Sequence, residues 1–87
     1  MTCNYRLMAT PDGSGGMCFE IHEVYYDEEG KPGSYVTIPA FVSGGNIDDI
    51  MFSLNAMKEV LNRPILWLGD KFPEEFDYDE WIKNKKL

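Results

Sequence analysis

Residues 21–35, IHEVYYDEEGKPGSY, set an apolar, tyrosine-rich run against three consecutive acids and a Gly-Lys-Pro-Gly stretch. A run of β-branched and aromatic residues that stops at Asp27-Glu28-Glu29-Gly30 and resumes after Pro32 reads as a β-hairpin with an acidic tip. Glycine supplies the left-handed backbone that such a connection requires. Pro32 has no N–H to give to a ladder, so it belongs at the entrance of the returning strand. The tyrosines and Val24 then belong to strands and the acids to a solvated turn.

Working outward, residues 4–9 alternate, with Tyr5, Leu7 and Ala9 on one face, and predict a strand. Residues 10–16, TPDGSGG, are dense in turn chemistry and predict a loop. Residues 17–26 form the second strand. Phe19 and Ile21 keep the alternation, but Glu23 falls where an apolar residue is expected and Val24 and Tyr26 fall out of phase. A β-bulge near His22-Glu23 would restore the apolar face. Residues 34–42 resume extended structure, with Val36, Ile38, Ala40 and Val42 on one face, and Pro39 marks this run as an edge strand.

Asn46 is a good helix N-cap, with Asp48 and Asp49 complementing the positive end of the dipole. Ile47, Ile50, Met51, Leu54, Met57 and Leu61 recur at three- and four-residue spacing and predict one buried face on a helix over 47–62. Pro64 ends it, because the residue before proline disfavours helical backbone. Residues 65–68, ILWL, form a short apolar run that packs back on the domain, with an added short strand as a further reading. From 70 to 80 six acids stand against one lysine, interleaved with Phe72, Phe76 and Tyr78. Trp81 and Ile82 follow, with Lys83, Lys85 and Lys86 placed favourably for a helix C-terminus.

The chain has 87 residues, 44% of them hydrophobic, which suits one small domain and excludes a disordered chain. A net charge of −7 repels phosphate backbones, so direct nucleic-acid binding is not expected. It suits solubility, a partner with a basic surface, or imitation of a polyanion. No apolar run approaches the roughly 20 residues that span a membrane, and MTCNYR lacks the apolar centre of a signal peptide, so a cytoplasmic location is expected. The hairpin sets Cys3 across from about residue 23 and Cys18 across from about residue 8, too far apart for a disulfide. Both are therefore read as free thiols.

Catalytic sets are missing. His22 is the only histidine. Cys18, Glu20 and His22 share a strand face, which raises a Cys–His dyad as the weakest of three functional readings. Two cysteines and one histidine do not supply zinc ligands at recognised spacing, and Asp27–Gly30 lacks the alternating ligands of an EF-hand loop. The DGSGG stretch, residues 12–16, lacks the lysine and following helix of a phosphate loop. No metal and no cofactor are expected.

The block IHEVYYDEEGKP, the proline-containing extended run and the helix ending in LNRPIL resemble a group of small bacterial and phage proteins that carry an IHEVYYDEDGKP-like segment. The resemblance covers residues 4–68 and implies no activity. The order strand-strand-strand-helix is similar to that of HicB-like antitoxin domains, a likeness of element order. Without an appended DNA-binding helix-turn-helix or ribbon-helix-helix it does not imply regulation of an operator. The expectation is an α+β domain over residues 1–69, a three-stranded antiparallel meander packed on one helix (βββα). An acidic aromatic tail, residues 70–87, docks on it, with a partner-binding arm as the alternative. One helix cannot cover three strands, which leaves room for a homodimer or a partner contact. The expected function is non-catalytic protein interaction, antitoxin-like. The alternative is a phage-type inhibitor of a host defence or nucleic-acid-handling protein. Partner-binding candidates are Tyr25, Asp27, Glu28, Glu29, Tyr35, Phe76, Tyr78 and Trp81.

Overall fold

The computed structural model describes residues 2–85 and shows an α+β chain whose sheet has five strands rather than three. β1 (Thr2–Pro11) and β2 (Met17–Tyr26) form a long antiparallel hairpin in which Arg6 faces His22 and Ala9 faces Phe19. The connecting loop closes on Asp12, whose carboxylate accepts from the Ser14 N–H (2.8 Å), the Ser14 hydroxyl and the Gly16 N–H. These donors, led by the Ser14 backbone, hold the Asp12 carboxyl below its ordinary pKa. β3 (Pro32–Tyr35) returns along β2. The acidic turn is tied by Asp27, whose N–H donates to the Lys31 carbonyl while its carboxylate accepts from the Glu29 and Lys31 N–H groups. Gly30 sits at φ 78°, the left-handed region expected of it.

Three expectations are corrected here. The β1–β2 register runs unbroken through His22 and Glu23, and the irregularity lies between Tyr25 and Tyr26 on the β3 side. Cys3 faces Tyr25 and Cys18 faces Thr10, two residues from the expected partners, and both thiols are free and exposed. The third strand stops at Tyr35. Residues 36–46 continue as an irregular arm, held to β2 by Val36 N–H donating to the Glu23 carbonyl and Ala40 N–H donating to that of Ile21. Pro39, which cannot donate, falls between these two bonds.

The chain then adds strands on the other side of β1. β4 (Ile65–Trp67) pairs with β1 in parallel, and β5 (Glu75–Phe76) pairs with β4, giving the order β3-β2-β1-β4-β5. The hairpin is thereby central, and both of its faces are covered. On one face Met8, Val24 and Leu66 form the enclosed core, with Tyr26, Tyr35, Leu68 and Phe72 packed around them. On the other, Phe19 meets Phe76, Tyr78 and Trp81 edge-on with ring centroids 5.5–5.7 Å apart. Two covered faces explain the apparent phase slip in β2. Val24 and Tyr26 serve one core while Phe19 and Ile21 serve the other.

α1 (Ile47–Lys58) starts at Asn46, whose side-chain oxygen accepts from the Asp49 N–H at 2.9 Å. Replacing Asn46 with Ala should cost about 1 kcal/mol, read by urea melting, since an N–H of the first turn loses its acceptor. The last turn tightens into a 3-10 segment, α2 (Glu59–Asn62), and Arg63 is extended before Pro64. A final helix, α3 (Tyr78–Lys85), is capped by Asp77, whose carboxylate accepts from the Glu80 N–H. Lys83 and Lys85 lie in its last turn; Lys86, read with them, is outside the described residues. Among the described residues no helix is long and apolar enough to cross a membrane.

Candidate protein-interaction site

The expected single buried face of α1 is not what the fold uses. Met57 and Val60 are the buried members, and Ile50 is half-buried. Ile47, Met51, Leu54 and Leu61 remain 80, 57, 53 and 72% exposed. The helix carries apolar residues on two neighbouring stripes, and only the one containing Met57 and Val60 meets the sheet. The arm before it exposes Ile38 and Phe41, and Phe52 is exposed on the helix itself. From Val36 to Met57 the only charged residues are Asp48 and Asp49. An exposed apolar surface this poor in charge is what interaction sites carry.

The arm is anchored by a buried polar seam. His22 is fully enclosed, and its Nδ1 donates to the Val36 carbonyl at 2.7 Å, where the arm begins. A carbonyl can only accept, so Nδ1 carries a hydrogen. Nε2 lies 2.9 Å from the Glu20 carboxylate. Tyr35 stacks edge-on against the imidazole. Beside it, Arg6 is buried and donates to the Tyr26 hydroxyl and the Pro64 carbonyl, both at 2.7 Å, with its Nε unpaired. Tyr26 in turn donates to Asn4. This seam ties β1, β2, the arm and the helix exit into one unit.

A groove of about 870 Å³ opens between the Val60–Pro64 turn and the start of α3. Leu7, Phe19 and Ile65 floor it, and Asp77 and Asp79 stand on one rim with Arg63 on the other. Leu61 belongs both to this groove and to the exposed stripe of the helix.

The eight partner-binding candidates read from the sequence divide between two ends of the hairpin. Asp27, Glu28 and Glu29 form the exposed turn at one end. Tyr25 stands beside it, and its hydroxyl donates to the Glu23 carboxylate, which raises the Tyr25 pKa above the ordinary phenol value. Phe76, Tyr78 and Trp81 gather on Phe19, and the seven residue steps from Phe19 to Tyr26 separate these groups by about 23 Å of strand. Tyr35 is a packing residue: its ring lies 4.8 Å from that of Phe72, and its hydroxyl accepts from the Gly69 N–H. Phe76 is only 8% exposed and lies 4.9 Å from the Trp67 ring. Of the second cluster Tyr78 is the exposed member.

The arm and the outer helix stripe were missed because a three- and four-residue apolar spacing does not say which stripe meets the sheet. A usable signal was present in the excess of apolar residues on α1, more than one face can hold. The capping pattern of Asp77 followed by Glu80 likewise marked the start of α3.

Catalytic geometry is poor around the cysteines. Cys18 is exposed, His22 is buried with both ring nitrogens engaged, and four residues of strand put them about 13 Å apart. Among the described residues no cluster of three or more His, Cys, Asp or Glu could hold a metal ion. No family model, curated protein or solved structure matches this chain.

Proposed function

We propose that this chain is a small, acidic, non-catalytic protein-interaction domain of the reducing cytoplasm, antitoxin-like in occupying a partner rather than turning over a substrate. The observation that carries this reading is the charge-poor apolar surface of the arm and α1, in a domain whose other sheet surfaces are covered. Aromatic side chains such as Phe41 and Phe52 are the anchors that protein interfaces favour. Replacing both with Ser should change stability by no more than about 1 kcal/mol, because neither contributes to a core. It should remove the stoichiometric protein recovered with the wild-type chain from a bacterial lysate. Equal recovery with both forms would sink the reading.

A second reading, inhibition of a host nucleic-acid-handling protein by imitation of a polyanion, is favoured by one feature. Glu74, Glu75, Asp77, Asp79 and Glu80 are all exposed around β5 and the start of α3. Such binding would weaken steeply with salt and would compete with nucleic acid.

A further inference from the structure

We propose that the outer stripe of α1 is the interface of a symmetric homodimer, in which two α1 helices pack antiparallel about Leu54. This assignment deepens the protein-interaction function proposed above and rests on it.

The surface of the chain is too large for a self-sufficient domain. Its accessible area is 6313 Å², whereas a compact monomer of 10.0 kDa exposes about 5,200 Å². The radius of gyration is 14.2 Å, against about 12 Å for a compact chain of this length. The excess, about 1,000 Å², exceeds the ~800 Å² per partner of a standard interface. Apart from Leu61 in α2 and Tyr78 in α3, the large apolar residues left exposed are those of the arm and of α1.

A second copy fits that stripe better than a basic partner does. Ile47, Met51, Leu54, Lys58 and Leu61 stand at offsets of −7, −3, 0, +4 and +7 from Leu54. The row is nearly symmetric about Leu54, so an antiparallel copy sets Ile47 against Leu61 of the second copy, and Leu54 against itself. The same pairing carries Lys58 to the first turn of the other helix, which holds Asp48 and Asp49. Asp48, about 120° around the helix from Leu54, flanks the stripe, whereas Asp49 points away and accepts from the Gly45 N–H. One opposite-charge pair therefore meets at each end, and the two helix dipoles oppose. A basic partner would find only those two acids here, since the exposed acids cluster at the Asp27–Glu29 turn and around β5. For two chains of net charge −7, a neutral contact face is the one that lets them approach.

The test is the mass of the purified full chain by light scattering after size exclusion, at about 50 µM. The wild type should run at twice 10.0 kDa, and Leu54→Asp at 10.0 kDa with an unchanged circular-dichroism spectrum. Lys58→Glu should weaken the dimer, and adding Asp48→Lys should restore it. A monomeric wild type overturns the proposal, as does a Leu54→Asp variant that stays dimeric, or a charge exchange without recovery. The protein-interaction reading fails separately: it falls if the Phe41→Ser, Phe52→Ser variant captures the same protein as the wild type, whatever the mass.

Discussion

Replacing His22 with Ala lowers stability by about 3–5 kcal/mol, the range for emptying the space of a large buried side chain. Three losses combine. The Val36 carbonyl loses its donor, the Glu20 carboxylate loses its partner, and the space beside the Tyr35 ring empties. Glu20, whose side chain is 32% exposed, can turn to water, so the emptied space carries most of the loss. In a domain of this size each kcal/mol moves the melting temperature by about 4–8 °C, so calorimetry should record a fall of more than 10 °C. His22→Phe refills the space without the hydrogen bonds and should recover only the cavity share. The arm should respond further, because its first residue is pinned through the His22 Nδ1. Amides of Val36, Thr37, Ile38 and Ala40 should exchange faster in either variant. Wild-type melting in His22→Ala would mean the seam contributes nothing.

Ending the chain after Gly69 should abolish cooperative folding at 37 °C. Truncation removes β5 and α3, and with them Phe72 from one core and Phe76 and Trp81 from the other. Each large apolar side chain taken out of water contributes about 1.5–3 kcal/mol. Loss of all three, with Trp67 and Phe19 left bare, approaches the 5–15 kcal/mol that holds a typical domain together. Phe76→Ala alone should cost about 3–5 kcal/mol. Far-ultraviolet circular dichroism through a thermal ramp distinguishes the outcomes. A truncated chain that melts like the full one would show that residues 70–85 are an appendage.

Much of the local structure was readable residue by residue. Strong local signals set the elements: Asp12 with its glycines closes one turn, Asp27 with Gly30 closes the next, Asn46 starts α1 and Pro64 ends it. These depend on backbone conformation and hydrogen bonds within a few residues, which the sequence alone determines. Separation of Cys3 from Cys18 followed from the hairpin for the same reason.

Only the tertiary structure decided what those elements face. Insertion of Ile65–Trp67 beside β1 made the hairpin central and covered both of its faces, so alternation could no longer mark an inside and an outside. His22 and Arg6, polar residues that strand periodicity would send to water, became buried because the Val36 and Pro64 carbonyls, far along the chain, accept from them. The Phe19 cluster depends on the return of residues 75–85 to the sheet. On α1, two apolar stripes competed for one sheet. Local spacing is equally satisfied by either, and the choice was made by where Met57 and Val60 reach the sheet, leaving Ile47, Met51, Leu54 and Leu61 outside.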